Sequence, residues 1–299
     1  MIHTIDLNFQ GVPQAIAAYL VQGERGLALI ETGPASTLPQ LTAGLAQHGL
    51  TPADIKDVLV THIHFDHAGA AGWWAQQGAT VYVHEVGAPH LIDPSRLVRS
   101  ATRIYGDDMD RLWGTLYPAP EDKVVALNDG DVVTVGDLQF VAHDTPGHAY
   151  HHFVYQLGDV GFTGDAAGIC LPGSELVDLP APPPEFNLEV WQNTVAKIEG
   201  LGLNTLYLTH FGKRDDVQGQ LNELRERLTA VTTFIHNLQQ QGLTRDEIVD
   251  AFLTWSRERA EAAGMTAEQY DQYETANPLP MSVDGVLRYW RKRDEQASK

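Results

Sequence analysis

An α/β fold carrying a helical appendage is predicted by three features of this 299-residue chain. Short β-branched runs bounded by Gly, Pro, Asn and Asp alternate with stretches of helical apolar spacing up to about residue 213. The densest group of chemistry-bearing residues, Thr61-His62-Ile63-His64-Phe65-Asp66-His67-Ala68-Gly69, follows directly on one such run, Asp57-Val58-Leu59-Val60. Chemistry on a loop at the end of a buried strand is the usual arrangement in α/β folds. Beyond Arg214 only helical spacing remains, with Leu221, Leu224, Leu228, Val231, Phe234, Ile235 and Leu238 along one face. The expected division is therefore an α/β domain over 1–213, carrying the His-rich loop, and a small helical domain over 214–299.

Bulk properties narrow the function classes. Hydrophobic residues at 43% and charged residues at 20% describe a soluble globular protein long enough for a large core. The net charge of −19 repels nucleic acid, which is bound by neutralising phosphates with Lys and Arg. Cys170 is the single cysteine, so no internal disulfide can form and no metal site can be thiolate-rich. No run approaches the ~20 apolar residues that span a bilayer. Met1-Ile2-His3-Thr4-Ile5-Asp6 lacks the basic and apolar regions of a signal peptide. A cytoplasmic protein with no membrane partner is expected.

The loop itself carries the functional reading. One histidine in a polar turn is ordinarily solvated. Here His62, His64 and His67 share six residues with Asp66, in a chain with 13 histidines in all. A tight turn lets the imidazoles and the carboxylate converge on one point. Neutral imidazole with carboxylate is a ligand set that zinc prefers and that iron and manganese accept. Gly69 and Gly72 permit close backbone approach after the loop.

In chain order, Ala17–Val21 and Leu27–Ile30 read as a hairpin about the turn Gln22–Gly26, ending at Glu31-Thr32-Gly33-Pro34. Residues 37–49 read as a helix stopped by Gly49, and Thr51-Pro52 as a helix start. A helix is expected from Ala68 to Gln77 and a strand over Thr80–His84, with His84 structural or at the rim of the site. Arg96, Arg99 and Arg103 share one face if residues 88–120 are helical there, a solvated stripe or a seat for an anionic substrate tail. Strands follow over Lys123–Leu127, Val132–Val135 and Leu138–Val141. The turn Thr145-Pro146-Gly147 presents His148, with His151 and His152 close behind, one expected buried and one exposed. A further hairpin runs over Phe153–Leu157 and Val160–Asp165. The proline-rich stretch Pro180–Phe186 can only be an extended loop, placed to line a pocket. A helix is expected from Phe186 to Glu199 and a strand from Thr205 to Gly212. Thr244–Glu247 and Thr266–Gln269 are capping-box helix starts, and Val283, Val286, Leu287 and Trp290 mark a last helix.

The motif His62-x-His64-x-Asp66-His67 resembles that of the metallo-β-lactamase superfamily. Thr145-Pro146-Gly147-His148, Gly164-Asp165 and Thr209-His210 resemble its later ligand motifs, in the same order, across roughly residues 15–212. The resemblance implies an αββα sandwich, the metallo-β-lactamase-like form of an α/β fold, with a small C-terminal helical domain. It further implies two divalent metal ions, zinc first, with iron or manganese as alternatives. His62, His64 and His148 would hold one, Asp66, His67 and His210 the other, and Asp165 would bridge them. Glu31 stands where many members carry aspartate and would support the metal loop from behind. Two cations ~3.5–4 Å apart can share a hydroxide as nucleophile, with Asp66 as the catalytic carboxylate that orients it or protonates the leaving group.

Departures from the family pattern restrict the substrate. Zinc β-lactamases lack an aspartate equivalent to Asp165, so antibiotic hydrolysis is not expected. RNA-processing members carry a large insertion or basic exosite that this acidic chain lacks. Acyl-homoserine lactonases place a tyrosine where Ala166-Ala167-Gly168 stands here. Glyoxalase II-like thioesterases match best, through the full ligand set and the C-terminal helices. The expected activity is hydrolysis of a thioester or ester of a small, anionic molecule. A phosphodiesterase on the same site, or a mononuclear iron persulfide dioxygenase, is the alternative. The helical appendage is expected to contribute to the substrate pocket or to oligomer contacts such as a homodimer.

Overall fold

The computed structural model describes residues 1–297. Two six-stranded sheets form its centre. The first orders β1 (Ile2–Asp6), β2 (Ala17–Gln22), β3 (Leu27–Ile30), β4 (Asp57–Leu59), β5 (Thr80–His84) and β6 (Val124–Leu127) edge to edge. β1, β2 and β3 pair antiparallel, and β3 to β6 are parallel. The second holds β7 (Val132–Val135), β8 (Leu138–Asp144), β9 (Phe153–Leu157), β10 (Val160–Gly164), β11 (Thr205–Leu208) and β12 (Gly212–Arg214), also in sequence order. Only its β10–β11 pair is parallel.

Helices bridge the parallel strands, as crossovers require. α1 (Leu38–Gln47) joins β3 to β4. α2 (Phe65–Ala68) and α3 (Ala71–Gln76) join β4 to β5. α4 (Ala88–Ile92), α5 (Ser95–Tyr105) and α6 (Met109–Leu112) precede β6, and α7 (Leu188–Glu199) precedes β11. A C-terminal helical region follows: α8 (Val217–Gln240), α9 (Arg245–Ala262), α10 (Ala267–Ala276) and α11 (Leu279–Ala297). This is the αββα sandwich with appended helices that the motifs implied. No described helix is long and apolar enough to cross a membrane.

The two sheets meet through large buried rings. Tyr19 on β2 packs on Phe162 of β10 at 5.7 Å and on Tyr207 of β11 at 5.1 Å between ring centroids. Its hydroxyl donates to the Leu208 carbonyl. Burial of apolar surface contributes ~25 cal/mol per Å², so rings of this size stabilise the contact between the sheets.

Several boundaries differ from those read in the sequence. β1 is too short and polar to declare itself and forms through its ladder with β2, Ile2 opposite Val21 to Asp6 opposite Ala17. The helix expected at Thr51 is one 3₁₀ turn, Pro52–Asp54, with the capping box made (Thr51 N–H to Asp54 Oδ2, 2.8 Å). The helix expected over 68–77 is split at Gly69-Ala70. The strand expected to reach Gly212 ends at Leu208, so His210 lies in the turn between β11 and β12. In the helical region both capping boxes form as expected, with Thr244 N–H to Glu247 Oε2 at 2.7 Å and Thr266 N–H to Gln269 Oε1 at 2.8 Å.

Candidate metal centre

All seven residues singled out as ligands converge at one edge of the sandwich. His62, His64, Asp66 and His67 lie on the β4–α2 loop and the first turn of α2. His148 comes from the β8–β9 loop, Asp165 from the end of β10 and His210 from the β11–β12 turn. Two glycines make the approach possible. Gly147 has φ +128°, and a Cβ there would lie 2.4 Å from Trp191. Gly164 has φ +48°, and its Cβ would lie 2.4 Å from Thr61 Oγ1. Only glycine adopts both without strain.

The ligand atoms fall into two groups. His62 Nε2 and His148 Nε2 each lie 2.9 Å from His64 Nδ1, and 3.2 Å from each other. Asp165 Oδ2 faces this trio, 3.2 Å from His148 Nε2 and 4.0 Å from His62 Nε2. The other Asp165 oxygen, Oδ1, is 3.4 Å from His67 Nε2 and 3.6 Å from His210 Nε2. Asp66 Oδ2 completes the second group at 3.8 Å and 3.4 Å from the same two nitrogens.

The chemistry of this set fits divalent cations. Nitrogens ~2.0–2.1 Å from a zinc ion lie roughly 3.3 Å apart along a tetrahedral edge, close to the spacing of the His62, His64 and His148 donors. His67 Nε2 and Asp165 Oδ1 are buried and form no hydrogen bond among the described residues. Orphaned buried atoms of this kind are costly unless something binds them. Each group could hold a metal ion.

Hydrogen bonds behind the ring set the tautomers. His148 Nδ1 donates to the Pro180 carbonyl at 2.8 Å and His210 Nδ1 to the Ala15 carbonyl at 2.7 Å. His67 Nδ1 donates to Glu31 Oε1 at 3.0 Å. Thr61 Oγ1 gives its proton to Glu31 Oε1 at 2.5 Å and so accepts from His62 Nδ1 at 3.1 Å. Each of these four rings therefore has Nδ1 engaged from behind and turns Nε2 towards the cluster, the orientation that metal-binding histidines take. Glu31 thus takes the supporting role expected for it.

Electrostatics separates the two groups. Burial pushes the His62, His64 and His148 imidazoles down, His64 to about 3, so the first trio is neutral and able to ligate. Burial pulls His67 and His210 the same way but is outweighed by the Asp165 and Asp66 carboxylates and, for His67, Glu31. Burial raises Asp66, yet His67 and His210 bring it down to about 2. The second group is therefore rich in negative charge that a cation would offset.

Three expectations need revision or extension. His151 and His152 are both buried, 6% and 0% exposed, rather than one of each. His152 is a support that the sequence did not single out: its Nε2 accepts the Asp165 N–H at 3.2 Å and its Nδ1 donates to Thr145 Oγ1 at 2.8 Å. The signal available was its position four residues after His148, too common a spacing to decide. Of the arginine stripe on α5, Arg96 lines the cavity, while Arg99 and Arg103 lie outside its lining. His84 bonds Asp144 at 3.2 Å and belongs to neither metal group, as expected.

A cavity of about 420 Å³ opens over the cluster. His64, Asp66, His148 and Asp165 form its floor. Leu97, Ala101, Ile104 and Tyr105 of α5 face the loop Pro180–Glu185 across it, and Ala276, Asn277 and Pro278 at the α10–α11 junction close one end with Met281 and Ser282 of α11.

Fold and site together define a metallo-β-lactamase-type protein, and the chain belongs to that superfamily, whose family model matches residues 11–210. It is 25% identical over 200 residues to a metallo-β-lactamase fold-containing protein of Sulfurisphaera tokodaii, covering 66% of this chain and 72% of that one. It is 28% identical to an atrochrysone carboxyl ACP thioesterase of Aspergillus fumigatus, over 69% of this chain and 54% of the relative. A Vibrio cholerae hydroxyacylglutathione hydrolase is 27% identical over 51% of this chain and 44% of its own. The chain thus spans about half the length of the latter two. Among solved structures, a metallo-β-lactamase family protein from Thermus thermophilus superposes with TM-score 0.70 at 22% identity, covering 98% of this chain and 94% of that one.

Proposed function

We propose that this protein is a metal-dependent hydrolase of an acyl thioester or ester carried by a small molecule with an anionic end. The observation that carries this reading is Asp165, whose two oxygens face different ligand groups. In this reading His62, His64 and His148 hold one divalent cation, Asp66, His67 and His210 a second, and Asp165 both. Such ions, zinc first, would supply a nucleophilic hydroxide at neutral pH and polarise the acyl oxygen. The chain needs no side-chain nucleophile, and Cys170 is buried away from the cavity lining.

Asp66 is the most open carboxylate of the cluster, 25% exposed towards the cavity against 3% for Asp165. Held ionised, it suits orienting water and accepting a proton at Oδ better than donating one. The apolar faces of Leu97, Ile104 and the prolines would exclude water and seat an acyl chain. Arg96, for which no ion pair is found among the described residues, would meet the anionic end. Relatives named as an ACP thioesterase and a hydroxyacylglutathione hydrolase support a thioester first. In this reading the glyoxalase II-like likeness extends to reaction type, and the small-molecule substrate is the only partner required.

Elemental analysis of protein purified without chelators, followed by a screen of acyl thioesters, esters and aryl phosphodiesters, tests the proposal. About two divalent ions per chain and turnover of a thioester or ester support it. A single iron with oxygen consumption on persulfides, or turnover of phosphodiesters alone, overturns it.

A further inference from the structure

A buried ion pair lies where the helical region meets the cavity wall. Arg227 on α8 donates from Nε to Asp178 Oδ1 and from Nη2 to Asp178 Oδ2, each at 2.9 Å. The two residues are 3% and 2% exposed. The Tyr273 hydroxyl donates to the same carboxylate, and the Trp255 ring lies 4.3 Å from the guanidinium carbon. Desolvating two ions offsets most of what such a pair gains, so an apolar contact would stabilise the fold as well. What a two-pronged ion pair adds is direction.

The direction is imposed on the segment Asp178–Ala181. Besides the Arg227 contact, Asn277 Nδ2 donates to the Leu179 carbonyl at 3.3 Å, and Ala181 N–H donates to Ser282 Oγ at 3.0 Å. Between these anchors the Pro180 carbonyl accepts the Nδ1–H of His148. A carbonyl can only accept, so this bond selects one tautomer and leaves the Nε2 lone pair facing His62, His64 and Asp165.

We infer that Arg227 and Ser282 are positioning residues for His148: they clamp the Pro180 carbonyl from the helical region and thereby fix the tautomer and aim of that imidazole. The helical region then serves the metal centre and not only the cavity wall. This inference rests on the metal reading above only for the consequence at the ion, and not for the tautomer itself.

The first measurement is the imidazole ¹⁵N spectrum of the metal-free protein, which distinguishes Nδ1–H from Nε2–H rings. The native chain is expected to show His148 wholly as Nδ1–H. Ser282→Ala, and the double variant Arg227→Met with Asp178→Asn, which leaves no lone buried charge, are expected to show mixed tautomers. Ser282→Thr keeps the hydroxyl and is expected to restore the native signal. The second measurement is zinc affinity by competition with a chelator, expected to fall by about ten- to a hundredfold in the first two variants, the usual effect of losing a partner behind a ligand. Variants that fold cooperatively yet keep both the tautomer and the affinity overturn the inference, as does a native Nε2–H ring. If the double variant does not fold, the Ser282→Ala and Ser282→Thr pair decides alone. Neither readout involves a substrate, so a failure of the hydrolase reading and a failure of this one are distinguishable.

Discussion

Glu31 and His67 are joined by a 3.0 Å bond from the imidazole Nδ1 to Oε1, made by a glutamate held at φ +65°. A left-handed non-glycine residue costs roughly 1–2 kcal/mol. The carboxylate placed there also receives protons from Thr61 Oγ1 and, at 3.2 Å, Thr209 Oγ1, and through Thr61 it reaches His62. One strained residue thus orients a candidate ligand in each group.

Removing that carboxylate leaves several buried donors unpaired. Glu31→Ala is expected to lower unfolding free energy by at least ~1–3 kcal/mol in urea titrations, the cost of one orphaned donor. Glu31→Gln keeps an acceptor but loses the charge. It is expected to fold and to lose about ten- to a hundredfold in zinc affinity by chelator competition.

Asp165 is where the two groups meet. Asp165→Asn is expected to leave one metal ion per chain or none by elemental analysis. Hydrolysis should fall by about a hundredfold or more, on the scale of losing a charged group at a reaction centre. Two tightly held ions in this variant would count against the shared carboxylate.

Arg96 is the cavity cation. Arg96→Glu is expected to raise KM for thioesters with a carboxylate or phosphate end by about tenfold, ~1.4 kcal/mol, with kcat nearly unchanged. The effect should shrink as salt is raised, because the site is open to solvent. Equal effects on neutral and anionic substrates would remove Arg96 from recognition.

Acidification should destabilise the metal-free protein. His62, His64, His148, His151 and His152 are all held below the ordinary imidazole range, with burial the largest cause in each. The stability they contribute is full above the unfolded value of about 6.5 and is lost as pH falls below it, because the unfolded chain then binds more protons. His67 and His210 are raised, so their contribution is present below that value and lost as pH rises; they oppose the five. Unfolding free energies from denaturant titrations are therefore expected to fall from pH 7 to pH 5, by roughly 1.4 kcal/mol per pH unit for each proton bound in excess by the unfolded state.

Divalent metal should reverse that loss. Zinc at a hundred times its dissociation constant is expected to add ~2.7 kcal/mol, read as a rise in Tm that a chelator cancels. A Tm indifferent to zinc would leave the two groups without an ion.

Much of this is legible in the sequence. The His62–His67 cluster, the Thr-Pro-Gly turn at His148 and the Gly-Asp end of β10 are local signals, since spacing and turn chemistry are written in adjacent residues. The capping boxes at Thr244 and Thr266 are equally local. β1 and β12 were not legible, because each exists through the ladder of a neighbour. The part played by His152 was hidden for the same reason: its partners are Thr145 and the backbone of Asp165, thirteen residues on.

The sequence alone determined the candidate ligand types, their order and the sandwich that presents them, because imidazole and carboxylate are donors that divalent metals accept and the strand ends hold them on short turns. Only the tertiary structure decided how those ligands divide about Asp165, that Glu31 stands behind both groups, that Arg96 rather than its neighbours meets the cavity, and that Arg227 and Ser282 reach His148 through Pro180. The hydrogen bonds that Glu31 makes with Thr61, His67 and Thr209 join residues from 30 to 178 positions apart. No periodicity records them, because they follow from how whole layers pack.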